Sequence, residues 1–482
     1  MLKNYSKNVN KALKGVKIGD RIQIRKGKNT YEGILMPRIE IGDNDCIVLK
    51  LKSGYNIGIK LEKGVKVEKI NKKYAQVEHT ALISEGGHIK KISASGEEHE
   101  SGHIKKISSL DEVGEVGYIK KFRKDKPPIS IVVTGGTITS KVDYKTGGVT
   151  SLVKPEELLV NAPELYDIVN VRKIESPFIK MSESFNYKDW QKMAQNIVKL
   201  LNGDDQGVIL TQGTDTLHYT GAALSFMIRN LSKPVVLVGS QRSIDRPSSD
   251  SNMNLICGSH IAVSEIAEVG TCMHGSMNDD YCLFIRGTKV RKMHTSRRDA
   301  FRPINERALA KVWMDGKIKI KNEIYKKRTD EKVKTDLKFE PKVALVKYFP
   351  GASPEIIDFY LKKGYKGLVV EATGLGQVSS LSGGAGKEAW TPVLRKAVEK
   401  GMSVCFAAQT IYGRLKPFVY SEAREAFESG VIFLKDMLPE TALIKLGWVL
   451  GHTRKWEKVS EMMLTNYAGE ISERTEIKSY LE

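Results

Sequence analysis

The chain has 482 residues, 41% hydrophobic and 28% charged: too long for one ordinary core, and close to the averages of water-soluble globular proteins. No stretch reaches the apolar length of a membrane span, so a soluble protein without membrane attachment is expected. The formal charge of +20 points to an anionic partner, with RNA a candidate, while lysine-rich composition also arises from genome-wide bias or high-temperature adaptation.

The first ten residues, MLKNYSKNVN, have lysines but no apolar run behind them, so no secretory signal is expected and the predicted location is cytoplasmic. Cys46, Cys257, Cys272, Cys282 and Cys405 are scattered, without a CxxC pair or a zinc-type spacing, which reads as reduced and mostly buried thiols. Residues 1–126 hold 27 Lys+Arg against 16 Asp+Glu, so more than half of the net charge lies in the first quarter.

Residues 18 to about 70 alternate apolar and polar side chains in short runs: Arg21–Arg25, Tyr31–Met36, Cys46–Leu51 and, after Ser53-Gly54, Tyr55–Ile59. Period-two runs divided by glycine turns predict a small β-barrel over 1–75. Over 76–126, GHIKKIS occurs at Gly87–Ser93 and Gly102–Ser108 and GYIKKF at Gly117–Phe122. A unit of that size is below solenoid repeats, and its polar spacers predict a duplicated linker or short β-ribbon. His88, His99 and His103 lie there without paired metal-ligand spacing and read as solvated side chains.

From Ile129 apolar runs alternate with amphipathic stretches: Ile129–Val133, Pro155–Leu165, Asp189–Leu201, Gly207–Thr211, Thr220–Leu231 and Pro234–Gly239. Strand and helix in alternation predict a parallel sheet covered on both faces. A charged segment at 326–340 separates this lobe, 127–325, from a second α/β set over 341–482, with Val343–Tyr348, Ser353–Gly364, Gly367–Glu371 and Ser403–Ala408.

The first strand of the first lobe ends in Thr134-Gly135-Gly136-Thr137-Ile138, and Gly207–Thr211 runs into Gln212-Gly213-Thr214-Asp215-Thr216. Both place glycines and hydroxyls at the carboxyl ends of strands, where open α/β sheets hold ligands. Either alone reads equally as a tight turn with an N-cap threonine. In order, about one βαβαβ unit apart, the two resemble the signatures of the L-asparaginase family, and the resemblance covers roughly residues 128–482.

That resemblance implies a two-lobed fold and an amidohydrolase with a threonine nucleophile. It makes Thr137 and Thr214 the catalytic threonines, with Asp215 and Lys292, in Val290-Arg291-Lys292-Met293-His294-Thr295, completing the proton relay. A lysine can act as base only when burial and neighbours favour its amine form. The dense positive charge of Lys289–Arg298 also suits a plain surface segment. Tyr144, before Gly147-Gly148, matches the family's mobile-loop tyrosine. Ser182-Glu183 stands where the family usually has Ser-Gln for the substrate α-carboxylate, and Gln377 is an ammonium-side candidate. The carboxylate of Glu183 implies a grip on the substrate ammonium or specificity away from free asparagine.

A basic barrel and linker ahead of TGGTI, together with Ser-Glu, resembles the D-subunit family of the archaeal glutamyl-tRNA(Gln) amidotransferases. Such a chain hydrolyses glutamine and passes ammonia to an E subunit that converts Glu-tRNA(Gln) to Gln-tRNA(Gln), in an assembly with a homodimeric core and two partner subunits. Gly383-Gly384-Ala385-Gly386-Lys387-Glu388 lacks the leading glycine and the Ser/Thr of a phosphate-binding loop. The resemblance therefore implies no cofactor or metal in this chain, with ATP and magnesium in the partner. A stand-alone asparaginase or glutaminase, and a non-catalytic RNA-binding scaffold, are the alternatives; the complete Thr-Thr-Asp-Lys set opposes the latter.

Overall fold

The computed structural model describes residues 2, 5–36, 44–51, 56–62, 64–70, 82–83, 89–92, 98–100, 124–142, 149–151, 162, 164–243 and 248–480. Two compact units divide the chain: one gathers Met1–Arg123, Thr137–Asp167 and Gln241–Asn252, the other Lys124–Gly136, Ile168–Ser240 and Met253–Glu482.

In the first unit, β1 (Arg21–Lys26), β2 (Asn29–Leu35), β3 (Cys46–Leu51), β4 (Asn56–Lys60) and β5 (Lys66–Lys69) form an antiparallel sheet in the order β4-β3-β2-β1-β5. The period-two pattern explains it: Ile22, Ile24, Leu35, Ile47, Leu49 and Ile59 all point to one buried face. Val9 and Leu13 of the helix α1 (Lys7–Ala12) and the turn after it pack on that face, and Ser6 caps the helix by accepting from Val9 N. Among the described pairings, β4 and β5 stand at the two ends of the sheet order, and the strands expected of the small barrel are present. Three short strands, Leu82–Ile83, Ile89–Ile92 and Glu98–Glu100, pair antiparallel and include part of the first GHIKKIS copy. The other copies, His88, His103 and most of the helix-like run from Pro155 lie outside the described residues.

The second unit contains both lobes. Its larger sheet runs through β6 (Pro128–Val133), β7 (Asn170–Glu175), β8 (Val208–Thr211), β9 (Val235–Val238) and β10 (Val269–His274), parallel in the order β7-β6-β8-β9-β10. Three antiparallel strands then extend it: β11 (Cys282–Arg286), β14 (Ala310–Val312) and β15 (Ile318–Ile320). Between β11 and β14 a hairpin of β12 (Val290–Lys292) and β13 (Phe301–Pro303) leaves the sheet. Strand β8 is buried along its whole length, which is why its sequence is an apolar run rather than an alternation.

Helix α2 (Tyr187–Leu201) starts at a capping box, in which Asn186 accepts from Lys188 N and Asp189 accepts back from Asn186 N. Met193, Ala194, Ile197 and Leu201, at helical spacing, pack on Val208, Leu210 and Leu237; each fully buried aliphatic contributes about 1.5–3 kcal/mol. Helix α3 (Leu217–Met227) begins and ends earlier than the expected Thr220–Leu231. The chain turns at Ile228 into a short strand paired with Lys334–Thr335, inside the charged segment.

The smaller lobe is a parallel four-stranded sheet of β16 (Val343–Lys347), β17 (Gly367–Ala372), β18 (Ser403–Ala408) and β19 (Ile432–Phe433). Helix α4 (Pro439–Leu450) joins the lobes: Ala442, Leu446 and Val449 share one core with Ala222, Ala223 and Phe226 of α3. Beside that core lies a row of buried charge. Arg286 Nη1 meets Glu268 at 2.7 Å and its Nε meets Glu306 at 3.2 Å. Glu306 lies within electrostatic reach of Lys289, Lys289 meets Asp436 at 2.7 Å, and Arg414 reaches Asp436 at 3.3 Å. Among the described residues, no helix is long and apolar enough to cross a membrane.

Candidate active site

The two signature turns lie backbone to backbone. Gly136 has φ 88°, and a Cβ on it would stand 2.2 Å from Gly213 N; Gly135 has φ 109°, and its Cβ would meet Lys180 O at 2.5 Å. Glycine is therefore required twice over, by conformation and by space. Thr134 fixes the approach, its N–H and hydroxyl both donating to Thr211 O. Gly213 is closed in from the other side, where its Cβ would stand 2.9 Å from Ser182 Oγ, and Thr216 Oγ1 donates to Ser182 O at 2.8 Å. The loop bearing Ser182 is held by Lys180, which meets Asp189 at 2.7 Å, and by an edge-on Phe178–Phe185 contact.

Lys292, at the tip of β12, reaches back to the second turn. Its Nζ lies 2.9 Å from Thr214 Oγ1 and 2.7 Å from Asp215 Oδ1. Thr214 and Lys292 are nearly covered, while the Asp215 side chain is 66% exposed. One ammonium or amine thus touches a shielded hydroxyl and a carboxylate open to a ligand.

Behind it is a layer that motif matching did not find. His218, the second residue of α3, has a buried Nδ1 with no hydrogen-bond partner among the described residues. Burial, helped by the charges of Arg291 and Lys292, holds its pKa down to about 4, so it is neutral at physiological pH. Arg291 pairs with Glu440 at 3.0 Å. Burial, with Glu440 adding to it, pushes Tyr219 up to about 12. The Glu371 carboxyl is likewise raised by burial, opposed by Lys347 and reinforced by Glu440. The sequence marks this layer only by isolated polar residues beside apolar ones, on helices at His218 and Glu440 and on strands at Arg291 and Glu371.

The structure brings Thr214, Asp215, Lys292 and Ser182 together. Glu183 follows Ser182 in a short 3-10 turn and is exposed. Gln377 Oε1 accepts from Leu375 N at 2.9 Å, binding the side chain into its own turn. Thr137 opens a 3-10 turn, Thr137–Thr139, that belongs to the first unit. Tyr144 lies outside the described residues. Gly386–Glu388 forms an exposed 3-10 turn, and among the described residues no group of three or more His, Cys, Asp or Glu side chains is arranged to hold a metal ion.

A parallel sheet carrying two glycine-hydroxyl turns, a Thr–Lys–Asp contact at its carboxyl edge and a second α/β lobe define a protein of the asparaginase class. The family models described as "Asparaginase, N-terminal" and "Glutaminase/Asparaginase C-terminal domain" match residues 128–326 and 342–463, and that of the "GatD N-terminal domain" matches 16–70. The chain belongs to the family of glutamyl-tRNA(Gln) amidotransferase D subunits. It is 46% identical to the protein of that name from Pyrococcus abyssi, over 97% of this chain and 98% of the relative. With the Methanosarcina mazei protein of the same name it shares 42%, over 95% and 99%. Among solved structures, the thermostable L-asparaginase from Thermococcus kodakarensis is similar with TM-score 0.63 and 28% identity, covering 72% of this chain and all of its own. L-asparaginase I from Vibrio cholerae is similar with TM-score 0.63 and 26% identity, over 72% and 99%.

Proposed function

We propose that this chain is the glutaminase subunit of a tRNA-dependent amidotransferase. The observation that carries this reading is that the likeness to D subunits spans nearly the whole chain, including residues 16–70, whereas the similar free-standing asparaginases cover 72% of it.

In the mechanism that the Lys292 geometry supports, glutamine binds with its ammonium toward the exposed carboxylate of Asp215 and its α-carboxylate near Ser182. A threonine hydroxyl attacks the side-chain amide carbon. Lys292 handles the proton of Thr214, and Thr137 supplies the second hydroxyl. The carbon–nitrogen bond breaks as the leaving nitrogen takes a proton, giving ammonia and an acyl ester. Water then cleaves the ester to glutamate and restores the hydroxyl. Asp215 holds Lys292 in place across both steps. Tyr144 covers the bound substrate, Gln377 borders its ammonium side, and Glu183 disfavours the shorter asparagine.

The ammonia passes to an E subunit, where ATP and magnesium serve the activation of Glu-tRNA(Gln) in the cytoplasm; two copies of each subunit complete the assembly. The test is steady-state ammonia release from glutamine and asparagine, with and without the E subunit, Glu-tRNA(Gln) and ATP. Partner-dependent release from glutamine, abolished in Thr214→Ala, is the expected result. Equally fast release without the partner makes the chain a stand-alone amidohydrolase, and no release in any arm removes the enzymatic reading.

A further inference from the structure

Thr214 is β-branched, so its side chain is stiff, and the position of its methyl decides where its hydroxyl points. The methyl rests on Gly239, just past β9: a Cβ there would stand 2.7 Å from Thr214 Cγ2 and 3.2 Å from Gln212 O. The Gly239 backbone thus lies against the methyl of the side chain whose Oγ1 meets Lys292.

The two peptide groups that flank the Gly239 Cα are each held by a buried side chain outside the motifs. Gly239 N donates to Met273 Sδ at 3.2 Å, and Asn254 Nδ2 donates to Gly239 O at 3.0 Å. Asn254 Nδ2 also lies 3.4 Å from Met273 Sδ. The amide orientation is over-determined: Nδ2 faces two acceptors, while Oδ1 faces His274 Nδ1 at 2.6 Å and the Cys282 thiol at 3.4 Å. Nδ1 of His274 is therefore the donor. Its Nε2 meets Asp279 Oδ1 at 3.1 Å, and Arg298 Nη1 holds the same oxygen at 2.6 Å. His274 and Asn254 are both fully buried. A continuous line of polar contacts thus runs from the exposed Asp279 through His274 and Asn254 to Gly239 O.

We propose that His274 and Asn254 are positioning residues for the amide hydrolysis, bracing the Gly239 peptide so that Thr214 keeps the rotamer that meets Lys292. The proposal rests on the catalytic reading of Thr214. Displacing a reacting group by about 1 Å costs on the order of a hundredfold in rate, so a slackened brace lowers kcat and leaves glutamine binding intact.

The experiment measures kcat and KM for glutamine, with the full chain in complex with its partner subunit. His274→Leu should lower kcat about tenfold to a hundredfold with KM within about twofold. His274→Asn, whose amide nitrogen takes the place of Nδ1–H, should recover most of the loss. Ser259→Ala, which removes another buried hydrogen bond from the same helix as Asn254, should leave kcat unchanged. A folded His274→Leu with kcat within threefold of wild type overturns the proposal, as does a His274→Asn no better than His274→Leu or an equal kcat loss in Ser259→Ala. Where His274→Leu does not fold, Gly239→Ala decides, because its added methyl pushes directly on Thr214; an undiminished kcat there overturns the brace. Thr214→Ala in the same assay separates the two levels: its retention of activity removes the catalytic reading, whereas its loss beside an unaffected His274→Leu removes only the brace.

Discussion

Removing the Lys289 ammonium should destabilise the chain strongly, and removing its partner Asp436 should do so more. Both groups are buried, at 0% and 2% side-chain exposure, and breaking a buried pair from one side costs about 3–5 kcal/mol because a desolvated charge is left behind. The two sides are unequal. In Lys289→Met, Asp436 keeps Arg414 Nη2 at 3.3 Å and Ser472 N at 3.1 Å, so the cost falls near the lower figure. In Asp436→Leu, Lys289 keeps only the neighbourhood of Glu306, and Arg414 and Ser472 lose their acceptor, so the cost falls near the upper one. At about 2 °C per kcal/mol for a unit of this size, thermal unfolding followed by Trp390 and Trp448 fluorescence should shift down by roughly 6 °C and 10 °C. The double variant should lose less than the sum by about 1–3 kcal/mol. A Lys289→Met shift below about 2 °C, or strict additivity, would refute the reasoning.

Lys292→Met should lower kcat by about 10²–10⁴, the range of a removed general base, with far-ultraviolet circular dichroism unchanged; a variant keeping a tenth of the rate contradicts the role given to Lys292. Gly136→Ala combines a φ of 88° with a Cβ 2.2 Å from Gly213 N, and should cost about 2–5 kcal/mol from strain and overpacking, read as a lowered urea midpoint with reduced activity. Arg297, opposed by partial burial and joined by Arg302, holds Asp299 below its ordinary value of 3.8. A depressed carboxyl stabilises fully above the unfolded value and loses that contribution as pH falls through the folded one. The melting difference between wild type and Asp299→Asn should therefore be largest near neutrality and close below about pH 4; a gap that widens on acidification contradicts the assignment.

Thr214 and Asp215 were legible as candidates because two glycine-hydroxyl turns follow strands in order, whereas Ser182 was legible only through the family pattern. Lys292 was legible only through the family pattern, since β12 and β13 are three residues each and lie in a basic segment with no strand periodicity. Helix α3 was misplaced because Ile228 and Leu231 prolong an apolar pattern that the chain leaves to pair with Lys334–Thr335; tertiary pairing overrode local preference. Strand β11 was hidden because burial on both faces erases the alternation that marks a strand, and β14 and β15 because three residues each are too short to show one. Asn254 lies in the polar start Ser251-Asn252-Met253-Asn254 of a helix and His274 at the end of β10, and sequence cannot tell that they meet.

The buried row that ends at Asp436 and Arg414, with the Arg291–Glu440 pair beside it, sets an order of events during synthesis. Thr214, Asp215 and Lys292 all leave the ribosome before residue 300, yet the countercharges of Lys289 and Arg291 arrive only with residues 436 and 440. Until then Lys289 has only the neighbourhood of Glu306, and Arg291 lacks the carboxylate it meets in the folded chain. A chain ended before residue 436 therefore lacks both countercharges at the base of that hairpin.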